Sequence, residues 1–259
     1  MTTAFGPSFD SEWRTRFERF ADKAQTEAGV SGWSDLGLAR RLDTFSSLVE
    51  TLRLGPDAAV LDLGCGAGTY VRLLARRGHR VVGLDYSVPT LVHALRRDRR
   101  ERRAYAAADA YDLPFRRAAF DLVVCIGVLQ AVASPERILD EALRVLRPGG
   151  LFIVEALNAR GLAARATSAH AALRRLPPRV RTYDPRDVHG WLVGRGVQVM
   201  RRVAIVLPPR GPSLLRRVFD LSKASRQLES RMLTEMTAHS FLFAARKHGV
   251  SAAGRRHEG

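Results

Sequence analysis

Lysine is nearly missing from this 259-residue chain: Lys23, Lys223 and Lys247 are the only three among 42 basic residues. Cysteine is scarcer still. Cys65 and Cys125 both fall in apolar stretches, which predicts two buried free thiols rather than a disulfide, and metal binding is not indicated. Nor does any apolar run approach the roughly 20 residues that span a bilayer. The opening "MTTAFGPSFDSEWRTRF" has neither a basic n-region nor an apolar core, so a cytoplasmic protein is expected. Acids are outnumbered too, 26 against 42, giving a net charge of +16. Such a field draws in nucleic acid, an anionic membrane surface or a phosphorylated substrate. The arginines are spread along the chain with no nucleic-acid-reading motif beside them, so a solvated arginine surface is the simpler reading.

What is present is the composition of a folded domain, 46% hydrophobic and 26% charged. Its length suits one large domain with insertions. From Ala58 onward, strand-length apolar runs alternate with runs of helical spacing. "AVLDLG", "RVVGLD", "AYAAAD", "FDLVVCI" and "LFIVEAL" predict strands; "TYVRLLARRG", "SVPTLVHALRRDRR" and "SPERILDEALRVLRPGG" predict the helices between them. This is the pattern of an α/β, doubly wound and mostly parallel sheet buried on both faces. Ser87 and Ser134-Pro135 are expected to start helices, and Arg147-Pro148-Gly149-Gly150 to stop one.

Outside that core, residues 1–53 carry Phe9, Trp13, Phe17 and Phe20 at helical spacing, followed by a helical stretch from about Leu36 to Leu52. They predict an N-terminal helical cap. Residues 54–249 form the main domain, with insertions expected at 159–187 and 208–238, and a small, basic tail follows at 250–259.

"VLDLGCGAGTY" ends a strand in three alternate glycines and turns at once into a helix, which exposes the first helical N–H groups and removes obstructing Cβ atoms. A nucleotide-like cofactor is the expected occupant. A dinucleotide fingerprint would space its third glycine one residue later than Gly68. Asp62, just before the turn, would repel a pyrophosphate and attract an ammonium or sulfonium. Asp85, 21 residues after Gly64, stands where an acid accepts from ribose hydroxyls. Asp109 ends the third strand at the same edge, so three carboxylates converge on one crevice.

With "VVGLDYS", "AADAYDLPF", "FDLVVCIGVLQAV" and "ILDEALRVLRPGGLFIVEALN" following in order, Val60 to Asn158 resembles the class I S-adenosylmethionine-dependent methyltransferases, near their small-molecule and quinone branch. The resemblance implies a seven-stranded sheet whose last strand is antiparallel, and S-adenosyl-L-methionine as cofactor. It places the ammonium at Asp62 and the methionine and ribose along Gly64, Cys65, Gly66 and Gly68. It also puts both ribose hydroxyls on Asp85 and the adenine beside Tyr86, Ser87, Asp109 and Ala110. Ile126 would lie near the cofactor, with Gly127 and Gln130 facing the reaction centre.

Many relatives read "LHH" where this chain has Leu129-Gln130-Ala131, and Gln130 takes no proton near neutral pH. No catalytic base is therefore assigned. Methyl transfer is an in-line displacement in which holding nucleophile and methyl together carries much of the rate, and a base is needed only if the nucleophile must lose a proton.

The N-terminal helices and both insertions are expected to form a lid over a small or lipid-like acceptor with an O, N or C nucleophile. His170, Tyr183, His189, Arg210, Arg216 and Arg217 are its candidate polar groups. The amphipathic "LLRRVFDLSKASRQLESRML" suits either a lid helix or contact with an anionic membrane. Two alternatives remain open at this point: a nucleic-acid methyltransferase, drawn from the charge, and a cofactor-binding protein without catalysis, drawn from Gln130-Ala131.

Overall fold

The computed structural model describes residues 7–98, 103–177, 180–207 and 231–249. Helices α1 (Pro7–Lys23), α2 (Glu27–Val30) and α3 (Asp35–Thr51) lead into β1 (Ala59–Leu63), α4 (Thr69–Arg76), β2 (Arg80–Asp85), α5 (Val88–Arg97) and β3 (Arg103–Ala107). The chain continues through β4 (Phe120–Cys125), α6 (Pro135–Val145), β5 (Leu146–Leu157), α7 (Leu162–Leu173), α8 (Pro185–Gly194), β6 (Val197–Ile205), α9 (Arg231–Thr237) and β7 (Ser240–Lys247).

The seven strands form one sheet in the order β3-β2-β1-β4-β5-β7-β6. Strands β1 to β5 pair in parallel, while β7 runs antiparallel between β5 and β6. Strand order reverses at β1 and β4, the switch point at which open α/β sheets hold ligands.

Both faces of the sheet are buried, as its dense Val, Leu and Ile content requires. Val60, Val124 and Ile153 pack with Phe45 and Leu48 of α3, Val71 and Leu74 of α4, and Leu91 of α5. On the other face Leu61, Leu63, Phe152 and Phe243 meet Ile138 and Leu139 of α6 and Val188 and Leu192 of α8. Alternation along β1 thus sends Asp62 to the α3–α4 side.

Helix starts follow local chemistry. Ser87 accepts from the Thr90 N–H, Ser34 from Gly37 and Asp184 from Arg186, each satisfying an orphan first-turn donor. Ser134 occupies the cap position of α6 but makes no such side-chain bond, leaving Pro135 as the local start signal. One boundary differs from expectation. Strand β5 begins inside "LRPGG" at Leu146, paired with Phe120, ahead of the apolar run. The pairing outweighs the turn chemistry of Pro148-Gly149-Gly150.

Both cysteines are buried and free, as expected. The stretch from Leu214 to Leu233 lies largely outside the described residues, as do Arg210, Arg216, Arg217 and the 250–259 tail.

Candidate functional site

A cleft opens at the carboxyl tips of β1, β2 and β4, holding about 1030 Å³ of non-atom space with its open mouth included. Of the residues expected at the site, Gly64, Cys65, Gly66, Asp85, Tyr86, Asp109, Ala110, Ile126 and Gly127 line it. The other walls come from α1 through Asp10, Trp13, Arg14 and Phe17, and from the strap Val30–Leu38.

The glycine turn answers to the protein's own atoms as well as to space for a ligand. Gly64, Gly66 and Gly68 all have positive φ, where side chains are strained. A Cβ at Gly64 would sit 2.4 Å from Val128 Cγ2, and one at Gly68 2.4 Å from the Tyr105 hydroxyl. At Gly66 it would meet Ser31 Oγ at 3.1 Å. Gly68 therefore admits Tyr105, and it does not line the cleft.

Asp85, at the tip of β2, accepts from the Gly66 N–H at 3.0 Å and the Ser87 N–H at 3.0 Å. Its carboxylate thereby fixes the turn as well as facing the cleft. Burial raises its pKa, opposed by the N–H groups of Ser87, Gly66 and Tyr86. Asp109 accepts from the Tyr111 N–H at 2.9 Å and from the Arg14 guanidinium at 2.5 Å. That guanidinium also lies 4.9 Å from the centre of the Tyr86 ring, whose hydroxyl reaches the Trp13 carbonyl at 3.4 Å. Asp10 completes the clamp, accepting from the Ala133 N–H and the Tyr111 hydroxyl. Helix α1 is thus stapled over the β2 and β3 tips, where its aromatic spacing predicted an N-terminal helical cap.

Besides Gly68, three expected residues stand outside the cleft lining. Ser87 is buried as the cap of α5, its Oγ engaged by Thr90. Gln130 is buried within the short 3-10 turn Leu129–Ala131, and Val128 and Ala131 line the cleft instead; Gln130 Oε1 is buried without a hydrogen bond. Its Nε2 would lie 3.7 Å from a Cβ at Gly127, which does line the cleft. Asp62 is 1% exposed, and its Oδ2 has no partner. Burial first, then the Asp85 charge, pushes its pKa up to about 8 against the opposing Val71 N–H.

The candidate lid groups resolve differently. Tyr183 belongs to the core, donating its hydroxyl to the Leu129 carbonyl at 2.6 Å. His170 and His189 are exposed on α7 and α8, and no described residue of 159–187 lines the cleft.

A buried polar chain supports the strap. Ser240 Oγ donates to Glu155 at 2.6 Å, and Arg41 Nε lies 3.0 Å and 3.3 Å from the two Glu155 oxygens. The Arg41 guanidinium stands 4.4 Å over the Trp33 ring. Trp33 in turn packs on Gly127, where a Cβ would lie 2.6 Å from the indole. Nearby, Tyr70 presents a ring to the cleft and packs edge-on against Phe45.

Fold and site together define a Rossmann-like enzyme architecture for a nucleoside cofactor, with an acid at the β2 tip and a glycine turn before it. A protein-family model for a methyltransferase domain matches residues 61–154. A ubiquinone biosynthesis O-methyltransferase of Methylobacterium sp. (strain 4-46) is 30% identical over 204 residues, 74% of this chain and 78% of that protein. One from Xylella fastidiosa (strain M23) is 33% identical over 61% of this chain and 67% of its own length.

Among solved structures, magnesium protoporphyrin IX methyltransferase from Synechocystis PCC 6803 with bound SAH shares the fold at TM-score 0.60 and 17% identity, covering 92% of this chain and 95% of its own. The [4+2]-cyclase SpnF shares it at 0.58 and 21%, over 82% of each chain, a reminder that fold alone does not fix the chemistry. The protein belongs to the class I S-adenosylmethionine-dependent methyltransferases, on their quinone-type branch.

The residues present fit that cofactor. A buried carboxylate at Asp62, one of whose oxygens lacks a hydrogen-bond partner, and a left-handed glycine turn with Asp85 across it suit an ammonium at one end and a ribose at the other. This fit carries a pH consequence. Below about 8 the empty protein holds Asp62 protonated, so an ammonium-bearing ligand must drive a proton off it. Affinity for S-adenosylmethionine is expected to fall, by up to about tenfold per pH unit, as pH drops below that value, and to fall again at higher pH as the ligand's own amino group loses its proton. Calorimetry in buffers of different ionisation enthalpy should show a proton released on binding; a flat profile in the wild type would remove Asp62 from the site.

Proposed function

We propose that the protein methylates a hydroxyl oxygen on a small, lipid-like, quinone-type ring, in the cytoplasm and close to a membrane that supplies the acceptor. The carrying observation is the lining of the cleft: Val30, Trp33, Leu38, Tyr70, Ile126 and Val128 give it an apolar, aromatic wall. A flat ring with an apolar tail suits such a surface better than a nucleobase tied to a phosphate backbone does. The relatives named for ubiquinone biosynthesis point the same way.

S-adenosylmethionine supplies an electrophilic methyl whose sulfur departs neutral. The chain's own residues do the positioning. Gly64 and Gly66 hold the turn, Asp85 and Asp109 set the nucleoside end, and Trp33 against Gly127 shapes the space beside the β4 tip. All three carboxylates that line the cleft among the described residues already hold partners: Asp10, Asp85 and Asp109. Orientation of an acidic hydroxyl is therefore the contribution assigned to the protein.

The test supplies isotopically methyl-labelled S-adenosylmethionine and full-length protein to lipid extracts and to a panel of catechols and hydroquinones. Label should appear on oxygen in an organic-extractable product. Label confined to RNA, or none in any fraction, would reject the proposal.

A further inference from the structure

Two hydrogen-bond donors on side chains that line the cleft are buried with no partner among the described residues: the Tyr70 hydroxyl and the Trp13 indole N–H. A buried polar group left unpaired is destabilising, so folded proteins keep few of them, and each calls for a reason. Tyr70 stands in the first turn of α4 beside Val71, whose N–H bonds Asp62, and so belongs to the ammonium end of the cofactor. Trp13 belongs to a different wall.

Its ring is held in place by its own helix. Phe9 meets it edge-on, Phe17 lies with ring centres 5.2 Å apart, and the Arg16 guanidinium stands 4.8 Å from its centre. Aromatic rings fixed in this way lose little freedom when a ligand arrives. The same buried cluster takes in Ala131, in the turn that follows β4. Gly127, Val128 and Ala131 of that turn all line the cleft, so the indole sits against the segment that leads away from the β4 tip.

The polar side chains around Trp13 already have partners. Asp10 accepts from the Ala133 N–H and the Tyr111 hydroxyl, Arg14 donates to Asp109, and the Tyr86 hydroxyl donates to the Trp13 carbonyl. The indole nitrogen is also closed to solvent. The cofactor's groups are matched elsewhere, its ammonium to Asp62 and its nucleoside to Asp85 and Asp109.

We infer that the Trp13 N–H is a specificity-determining donor for the acceptor, bonding a ring oxygen other than the one that receives the methyl group. The inference rests on the proposed quinone-type acceptor. A ring without that second oxygen leaves the N–H buried and unpaired, and sites built on a hydrogen bond reject such analogues more strongly than apolar pockets do. Full-length protein saturated with S-adenosylhomocysteine is titrated with hexylcatechol and with hexylphenol, which lacks one ring oxygen. The wild type is expected to prefer the catechol by about tenfold or more. Trp13→Phe, which keeps an aromatic face and removes the donor, should bind both rings alike, as weakly as the wild type binds the phenol.

Titration of Trp13→Phe with S-adenosylhomocysteine alone should match the wild type, which shows both that the variant is folded and that the N–H does not serve the cofactor. Should the variant fail to fold, the wild type decides: the Trp13 indole proton resonance should move downfield with the catechol and stay in place with the phenol. Four results would overturn the inference: no preference in the wild type, a preference that survives the substitution, equal weakening of both rings, or a loss confined to the cofactor. Binding of neither ring by the wild type would reject the quinone-type acceptor, and the inference with it. That failure shows before any substitution is made, so it is distinct from a failure of Trp13 alone.

Discussion

Asp85→Ala is expected to weaken S-adenosylmethionine binding by about a hundredfold or more. The carboxylate would lose two ribose hydroxyls, and hydrogen bonds to a charged group are worth about 1.5–3 kcal/mol each. The same substitution removes the acceptor that holds the Gly66 N–H, so the turn itself loosens. Asp85→Asn separates the two effects. An amide oxygen can still accept from one N–H, so the asparagine variant should keep more of the wild-type melting temperature while binding stays poor. Equilibrium titration alongside thermal unfolding reads both. Wild-type affinity in Asp85→Ala would contradict the placement of the ribose.

Breaking the Arg41–Glu155 pair is expected to have the largest effect on stability. Glu155 is fully buried and Arg41 nearly so, and removing one partner of such a pair leaves an uncompensated charge that costs about 3–5 kcal/mol. Arg41→Met should therefore lower the melting temperature by about 10 °C in a chain of this size. Replacing both, Arg41→Met with Glu155→Leu, should recover much of the loss, since apolar pairs often substitute for buried ions. A single variant that melts with the wild type, or a double variant no better than the single, would contradict the buried pair. Trp33 gives the stability effect a functional reading. With the guanidinium gone from its face, the indole loses one of its two anchors, and the strap that walls the cleft should become more mobile.

The sheet and its order of helices were legible because each is written locally. Dense β-branched and leucine runs, Ser87 before α5 and Pro135 at the start of α6 carry their meaning within a few residues. The acids at Asp85 and Asp109 were legible for a related reason: strand ends in a parallel sheet share an edge, so their sequence positions fix their neighbourhood. Less legible were the positions that a tertiary contact decides. Gly68 is small for Tyr105, 37 residues away, and Gly127 for Trp33; neither partner is visible in the motif that holds the glycine. Gln130 is buried within the short turn Leu129–Ala131, which a three-letter comparison does not carry. Arg14, among 42 basic residues, had no local mark to distinguish it until α1 was seen lying across the β3 tip.

The account depends on a nucleoside cofactor seated between the glycine turn and Asp85. Calorimetric titration of the full chain with S-adenosylhomocysteine tests this without any acceptor. The expected result is a single saturable site at one ligand per chain, strongly weakened in Asp85→Ala. No heat at millimolar ligand, or binding that the substitution leaves untouched, would contradict it.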